Sequence, residues 1–447
     1  MHLLTALKSH PLFATRESDY IRWYPKGLTP FPGGPLPTPM RPSGIYIHVP
    51  FCDRLCKFCP FNKRVTSPQA VNDYVEALLS ELRLYGAQCE SPGIEFVYFG
   101  GGSPSVLDAA TMARLVAAIR AHFPLTSRAE ITAECHPTHM SLAYACGLRA
   151  AGVTRVSMGI QSFDPACLER MGAQHTVEDG VAAIEAATSE FERVGIDILF
   201  RTAGQNEEHL LQQLDRAVCL EGINHISLYS LVLKDMRTLP DEDVEAQLTV
   251  AAHTFLLKAG FEHYASCANG GFDFARPGHQ CQYEKQHWGA PQREFLGLGP
   301  GALGFVGRSV TVNGLKLDRY VASLRKERLP LVSVTTAGTE ELERRYFVLG
   351  VKTLEVAFQP FVDAFGLDPR IRFQAQFDYL SGTGLATINE SGLTLTALGR
   401  LFVDSVSALF FSAEQSSIPH PEEPEIRQLE AAHGGRGRQA EPVLAPV

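Results

Sequence analysis

The chain has 447 residues, 45% of them hydrophobic, and a formal net charge of −9 at pH 7. This length suffices for two or three domains, and the composition is that of a globular protein. The acidic balance argues against a nucleic-acid partner, whose phosphates require a basic surface. No run approaches the roughly eighteen apolar residues of a membrane span, and the N-terminus shows no signal-peptide pattern. We therefore expect a cytoplasmic protein that binds neither membranes nor nucleic acid.

The first two thirds of the chain predict an arm followed by an α/β domain. Residues 1–42 are rich in proline and aromatic side chains and predict an arm lying over the main domain. From 43 to 265, apolar runs typical of strands alternate with amphipathic helical patterns. Six such runs, from GIYIHV to HISLYSL, predict βαβ units and a parallel sheet. The expected fold is a partial (β/α)6 barrel related to the TIM barrel, with its chemistry at the C-terminal strand ends.

The last third of the chain changes character. Residues 266–335 include the glycine-rich stretch GLGPGALG and predict a connector. Residues 336–412 predict a smaller, mostly helical domain with a winged-helix-like end, GLATINESGLTL. Few basic residues accompany that end, so packing or substrate covering is favoured over DNA binding. Residues 413–447 have the composition of a disordered tail.

Three cysteines follow the first predicted strand, in the stretch YIHVPFCDRLCKFCPFNKR. They are Cys52, Cys56 and Cys59, spaced C-x3-C-x2-C. A disulfide framework is disfavoured, because it is typical of small secreted chains. A structural zinc ion would need a fourth ligand, for which His48 is a candidate. An iron–sulfur cluster held by thiolates is the third interpretation. Three thiolates on a four-iron cluster would leave one iron open to an external ligand.

Further motifs follow the cysteines in order: FGGGSP, ITAECHP, SMGIQSFD, GIDILF and FLGLGPGALG. Together with YxHxPFC at Tyr46–Cys52, they resemble the radical S-adenosylmethionine (SAM) superfamily, in the branch typified by oxygen-independent coproporphyrinogen III oxidase. The resemblance implies a [4Fe-4S] cluster on Cys52, Cys56 and Cys59, with SAM bound to the open iron. It also implies an external electron donor of the flavodoxin or ferredoxin type, and a C-terminal domain like that of the oxidase.

The resemblance also implies the residues that contact the cluster-bound SAM: Tyr46, Phe58, Gly101, Gly102, Ser103, Glu134, Gln161 and Asp197. Glycines suit a backbone that approaches a ligand closely. Carboxylate and amide side chains at strand ends suit the ammonium and ribose hydroxyls of SAM. Taken alone, each of these residues is equally typical of an ordinary turn or strand end. No catalytic residue is assigned.

The chain departs from the porphyrin-oxidase pattern at three places. Phe61 stands where those enzymes carry a fourth cysteine, and Ala173 stands where the family places an arginine. The chain reads RTAGQ where relatives read GLPGQ, and Arg201 of that stretch is a candidate to replace the missing arginine. A surface salt bridge is the alternative role for Arg201. These changes argue against coproporphyrinogen oxidation.

The CPF sequence at Cys59 resembles the class C radical SAM methyltransferases and cyclopropanases, which hold two SAM molecules. We therefore expect methylation or cyclopropanation of an sp2 carbon of a natural-product substrate, as in antibiotic biosynthesis, by a monomer acting on a small molecule. The resemblance assigns Gln286 and Leu303 to the second SAM. The alternative is a heme chaperone or an oxygen-independent coproporphyrinogen III oxidase-type protein. His263 and His287 are more typical of hydrogen-bonded polar residues than of heme ligands.

Overall fold

The computed structural model describes residues 3–13, 21, 23–36, 39–56, 58, 59, 61–231, 239–267, 271–289, 293–421 and 423–434. Its strands are, in chain order, β1 (Pro42–Val49), β2 (Phe51–Cys52), β3 (Arg64–Val65), β4 (Ile94–Gly101), β5 (Leu125–Cys135), β6 (Arg155–Gln161), β7 (Val194–Phe200), β8 (Ile223–Ser230), β9 (Glu262–Cys267), β10 (Gly271–Ala275), β11 (Glu294–Leu298), β12 (Leu303–Val306), β13 (Ser309–Asn313), β14 (Leu331–Thr336), β15 (Glu355–Ala357), β16 (Ala386–Ile388) and β17 (Gly392–Leu395). Its α-helices are α1 (Leu3–Ser9), α2 (Pro68–Gly86), α3 (Ala109–His122), α4 (Leu142–Ala150), α5 (Pro165–Met171), α6 (Val177–Thr188), α7 (Glu207–Cys219), α8 (Glu242–Lys258), α9 (Gln282–Gly289), α10 (Leu317–Leu324), α11 (Thr339–Gly350), α12 (Gln359–Phe365), α13 (Pro369–Arg372), α14 (Gln374–Gly382), α15 (Val403–Ala408), α16 (Ala413–Ser417) and α17 (Glu423–Gly434).

The six predicted strands form the parallel centre of one large sheet. Strands β1, β4, β5, β6, β7 and β8 lie side by side in chain order, and each adjacent pair is parallel. Helices α2 to α7 connect them. The predicted α/β fold with a partial barrel is therefore confirmed. The carboxyl ends of the six strands meet at one edge, which we call the C-terminal rim.

Local sequence features support this arrangement. Nearly every residue of β1 and β4 is buried, as expected of parallel strands covered on both faces. Helix α3 is capped at its N-terminus by Asp108, whose carboxylate accepts a hydrogen bond from the Thr111 backbone N–H at 2.7 Å. Helix α6 begins with a capping box formed by Thr176 and Asp179. Each such cap stabilises its helix by about 1 kcal/mol. Both caps lie close to the C-terminal rim, where these helices begin.

The segment predicted as a glycine-rich connector, 266–335, instead extends the sheet. Strand β11 pairs with β1 in parallel, and β12 to β14 continue that edge as antiparallel strands. Strands β9 and β10 extend the opposite edge beyond β8. The glycines serve close packing, since a Cβ on Gly297 would collide with the Leu303 carbonyl of the neighbouring strand. The limits given for the separate domains stay a prediction.

The C-terminal part is mostly helical and also contains the small antiparallel sheet β15-β17-β16, which agrees with the prediction of a helical domain. The predicted disordered tail differs from the structure up to residue 434, because α16 and α17 are ordered helices. Ile426 of α17 is 7% exposed, and the Glu430 carboxylate accepts a hydrogen bond from the Lys316 backbone N–H at 3.0 Å. Residues 435–447 of that tail, and parts of the predicted arm, lie outside the described residues.

The hydrophobic core runs from the barrel into the C-terminal helices as one continuous cluster. Within the part of the chain that the structure describes, no helix combines the length and apolar character needed to cross a lipid bilayer.

Candidate functional site

A cavity of about 450 Å³ opens at the C-terminal rim of the barrel. It brings together ten of the predicted residues, from the cysteine loop and from strands β4 to β7: Cys52, Cys56, Phe58, Cys59, Gly101, Gly102, Ser103, Glu134, Gln161 and Asp197. Parallel strands explain this convergence, because residues far apart in the chain reach the same rim. The residues predicted from the sequence therefore lie around one cavity.

The cysteine loop is closed at its base by a short parallel ladder. Strand β2 pairs with β3, so that Cys52 lies opposite Val65. The Arg64 backbone N–H donates to the Pro50 carbonyl at 2.8 Å, and the Thr66 N–H donates to the Cys52 carbonyl at 3.0 Å. The cysteine loop is thus tied by hydrogen bonds at Cys52 and at Arg64. A loop fixed in this way presents its side chains at a defined place beside the strands.

All three cysteines of the loop are free thiols that are half-buried around the cavity. Burial raises the pKa of Cys52 and of Cys56, and the nearby Lys63 ammonium opposes this rise. Lys63 is held by the Cys59 carbonyl, with Nζ 2.6 Å from the oxygen. Three neighbouring thiols beside one cation are suited to an iron–sulfur cluster, whose irons require thiolates. The residues present therefore fit the cluster.

His48 does not belong to this group of possible ligands. Its Nε2 lies 2.7 Å from the Asn62 carbonyl oxygen, and its Nδ1 lies 3.2 Å from the Tyr46 hydroxyl. The carbonyl can only accept, so Nε2 carries the proton and Nδ1 accepts from the tyrosine. Among the described residues, no three such side chains converge as a single metal ion would require. The zinc alternative with His48 as fourth ligand is therefore not supported.

The glycine run after β4 packs against the base of the cysteine loop. The Gly102 N–H donates to the Val49 carbonyl at 2.8 Å, and the Ser103 N–H donates to the Phe51 carbonyl at 2.7 Å. A Cβ on Gly102 would lie only 2.5 Å from the Phe51 carbonyl oxygen. The Ser103 hydroxyl stands 3.8 Å from the Cys52 sulfur. This glycine run forms one wall of the cavity. Its backbone approaches the Phe51 backbone so closely that only glycine fits.

Two half-buried carboxyl groups reach the same cavity. Glu134 accepts hydrogen bonds from the Tyr98 hydroxyl at 2.7 Å and from the Gly101 N–H at 3.2 Å. Burial raises the pKa of Glu134. Burial and the neighbouring Glu134 raise the pKa of Asp197 to about 8. A cationic ligand would relieve this penalty, since a nearby positive charge favours the ionised carboxylate.

A charged group that the sequence analysis missed lies beneath these carboxyls. Arg155, at the start of β6, is 2% exposed, and its guanidinium lowers the pKa of Glu134, Asp197 and Glu284 against the larger effect of burial. Burial raises the pKa of Glu284, on α9, to about 7. The single buried guanidinium of Arg155 thus favours the ionised form of three carboxyls, which lie on β5, β7 and α9. The sequence carried little signal for it, because an arginine at a strand start is usually exposed.

Four other predicted residues lie away from the cavity lining. The Tyr46 ring stacks with Tyr98 and with Tyr283, at centroid distances of 6.1 and 5.6 Å. Gln286 donates to the Glu95 carboxylate at 2.8 Å, and Leu303 pairs with Val312 between β12 and β13. Arg201 donates from Nε to the Pro240 carbonyl at 2.9 Å. The cavity lining lacks all four: Tyr46, Gln286, Leu303 and Arg201.

Two histidines that the sequence analysis did not single out do line the cavity. His136 follows β5 and His175 precedes α6, and their rings are 5.6 Å apart at an angle of 84°. Burial lowers the pKa of His136 to about 4 and also lowers that of His175. Both are therefore neutral at pH 7. Ala173, the position of the missing family arginine, lines the same side of the cavity.

Comparisons with known proteins relate the chain to one superfamily. Residues 46–217 match the radical SAM superfamily. The chain is 31% identical over 395 residues to the heme chaperone HemW of Mycobacterium tuberculosis, covering 85% of this chain and 96% of that protein. It is 29% identical to heme chaperone HemW of Escherichia coli, covering 83% and 99%. Among solved structures, the coproporphyrinogen III oxidase HemN of Escherichia coli superposes with a TM-score of 0.72 at 24% identity, covering 86% and 91%.

The fold and the site thus define a radical SAM protein of the coproporphyrinogen-oxidase-like branch. Within that branch, the chain belongs to the HemW family. A [4Fe-4S] cluster and SAM are the cofactors that this superfamily implies. The expectation of a C-methyltransferase or cyclopropanase acting on a natural product is wrong, because three relatives matched over 96% or more of their length are named heme chaperones. The CPF sequence was too short to separate the two groups.

Proposed function

We propose that this protein is a heme chaperone that holds a [4Fe-4S] cluster and SAM in the cavity at the C-terminal rim. The observation that carries the proposal is the 31% identity to a heme chaperone over 96% of that relative's length. A match of this extent includes the barrel, the edge strands and the C-terminal helices. We further expect a monomer in the cytoplasm, as the sequence predicted.

The proposal assigns the cofactor sites to the residues that meet around the cavity. Cys52, Cys56 and Cys59 would hold the cluster, which would bind SAM and supply its one-electron chemistry. The remaining lining residues predicted for SAM keep that role: Phe58, Gly101, Gly102, Ser103, Glu134, Gln161 and Asp197. The half-buried carboxyls suit the positive charges of SAM. One SAM molecule suffices for this assignment, and Tyr46 supports it from behind by stacking on Tyr98.

A neutral imidazole is one of the side chains that bind heme iron, and His175 has that form. Its Nε2 lies 3.0 Å from the Ile160 carbonyl oxygen, so Nε2 bears the proton and Nδ1 keeps its lone pair. Metal-ligating histidines commonly donate their other N–H to a carbonyl in this way. By contrast, His263 is engaged through Nε2 with the Ala265 carbonyl at 3.1 Å and through Nδ1 with His253 at 3.2 Å. We propose His175 as the ligand for heme iron.

Anaerobic titration with hemin tests both the chaperone proposal and the assignment of His175 as the heme ligand. The cluster-loaded protein should develop a Soret band that saturates at one heme per chain. His175→Ala should shift that band and weaken binding, whereas His209→Ala, on the exposed face of α7, should behave as wild type. Absence of a saturable Soret band in the wild type would overturn the chaperone proposal. Unchanged spectra in His175→Ala, with a normal wild type, would overturn only the assignment of the ligand.

A further inference from the structure

Two ligands are assigned to one cavity of limited size. The cavity at the C-terminal rim has a volume of about 450 Å³, and His175 lines it together with the residues predicted for SAM. Pockets for one drug-sized ligand typically measure about 300–1,000 Å³. SAM joins a nucleoside to an amino acid, and heme is a larger macrocycle. The volume therefore suits one of these ligands at a time.

The contacts of His175 place the heme ligand beside the predicted SAM contacts. Its Nε2–H donates to the Ile160 carbonyl at 3.0 Å. Ile160 stands between Gly159 and Gln161, which both line the cavity, and Gln161 is predicted to contact SAM. The imidazole is thus fastened to the end of strand β6 that carries this contact. Because a porphyrin extends from its iron in every direction of the ring plane, heme bound at His175 would cover the same strand end.

Both ligands also carry carboxylates, and the cavity offers them a single cation. Lys63 is the only lysine or arginine among the described residues of the lining. Its Nζ lies 2.6 Å from the Cys59 carbonyl oxygen and 3.4 Å from the Phe61 carbonyl oxygen, and it forms no ion pair with a described residue. Burial lowers the pKa of His136 and of His175, so neither adds positive charge at pH 7. The SAM carboxylate and the heme propionates would therefore compete for Lys63.

We propose that SAM and heme bind to this cavity in competition, so that SAM occupancy releases heme from the protein. The inference rests on the proposed function and adds a regulator to the same site. No bond is made or broken in the protein: each ligand takes the space, the strand end and the cation that the other requires. A chaperone needs such a trigger, because tight binding of its cargo otherwise means slow release.

Hemin titrations of the anaerobic, cluster-loaded protein at a series of SAM concentrations test the proposal. Under competition, the apparent dissociation constant for hemin rises in proportion to one plus the ratio of SAM to its own dissociation constant. It is therefore raised about a hundredfold when SAM stands at one hundred times that constant. The rise should continue with every further addition of SAM. Reciprocally, equilibrium dialysis should show that saturating hemin displaces SAM.

Variants identify the groups behind the effect. Glu134→Gln, which should weaken SAM binding about ten- to a hundredfold, should need that much more SAM to displace hemin equally. Lys63→Met should raise the dissociation constants of both ligands at unchanged iron content, whereas Lys63→Arg keeps the charge and should stay closer to wild type. The matched control His209→Ala, on the exposed face of α7, should give the wild-type displacement curve.

The shape of the displacement curve decides the outcome. A hemin dissociation constant that SAM leaves unchanged would overturn the proposal. A constant that rises and then levels off while SAM is still being added would also overturn it, because a plateau means that both ligands bind at once. Absence of a saturable Soret band in the wild type without SAM would instead overturn the proposed function on which the inference rests.

Discussion

Replacing Asp197 by asparagine should stabilise the SAM-free protein, and increasingly so as the pH rises. The side chain faces the cavity, where burial first and Glu134 second raise its pKa from 3.8 to about 8. In the unfolded chain the same carboxyl titrates near its ordinary value. Between about pH 4 and pH 8, the folded state therefore retains a proton that the unfolded state has released. Stability from this group is present at low pH and is lost as the pH rises through that window.

The size of the effect follows from the shift in pKa. A shift of roughly 4 pH units corresponds to about 6 kcal/mol when fully expressed, at about 1.4 kcal/mol per unit. Water in the cavity screens the side chain, so we expect roughly half of this, on the order of 3 kcal/mol, above pH 8. Between pH 5 and pH 8 the advantage of Asp197→Asn over wild type should grow by about 2 kcal/mol. Asparagine keeps the shape of the side chain and removes only the charge.

Equilibrium urea unfolding of the cluster-free protein, followed by circular dichroism at pH 5, 6.5 and 8, measures this difference. Asp215→Asn, on the exposed face of α7, is the matched control and should show no pH-dependent gain. Added SAM should stabilise the wild type more than Asp197→Asn, because only the carboxylate offers a negative charge. A stability gap that is the same at pH 5 and pH 8 would refute the reasoning.

Three further outcomes are expected. Cys56→Ser should lose iron and the brown absorbance after anaerobic reconstitution, whereas Cys146→Ser, at an exposed site on α4, should retain both; retention of iron in Cys56→Ser would remove that residue from the site. Glu134→Gln should raise the calorimetric dissociation constant for SAM about ten- to a hundredfold, because it loses a charge-assisted hydrogen bond, and an unchanged constant would exclude that contact. Removal of residues after 434 should leave the thermal unfolding temperature unchanged, whereas Ile426→Ala should lower the free energy of unfolding by about 2–4 kcal/mol. An unchanged free energy of unfolding in Ile426→Ala would show that α17 adds nothing to the core.

The sequence alone determined the barrel and ten of the residues that line the cavity. Alternating apolar runs and amphipathic segments are local patterns, and their order implies a parallel sheet whatever the rest of the chain does. The cysteine spacing is also local, so Cys52, Cys56 and Cys59 could be predicted as cluster ligands without a structure. The same holds for Glu134 and Asp197, because strand ends in such a sheet share one rim. The resemblance to a superfamily then supplied the roles expected of these residues.

Sequence patterns failed where pairing partners are distant in the chain. The segment 266–335 looked like a connector because it is rich in glycine, yet its strands join both edges of the sheet. Glycines there allow neighbouring backbones to approach, and sequence cannot distinguish that use from flexibility. Gln286 was assigned to a second SAM by weak alignment, but its amide is engaged with Glu95 on β4. The composition of the tail likewise predicted disorder, although Ile426 within it packs against the core.

Tertiary structure alone decided the electrostatics of the site. Arg155 comes from β6, Glu284 from α9 and Asp197 from β7, and only the folded barrel brings their charges together away from bulk water. Burial then sets their pKa values, and burial is a property of the whole fold. His136 and His175 likewise meet because two separate loops end at the same rim. The chain encodes which groups are present, whereas their distances and their separation from solvent arise only when the strands assemble.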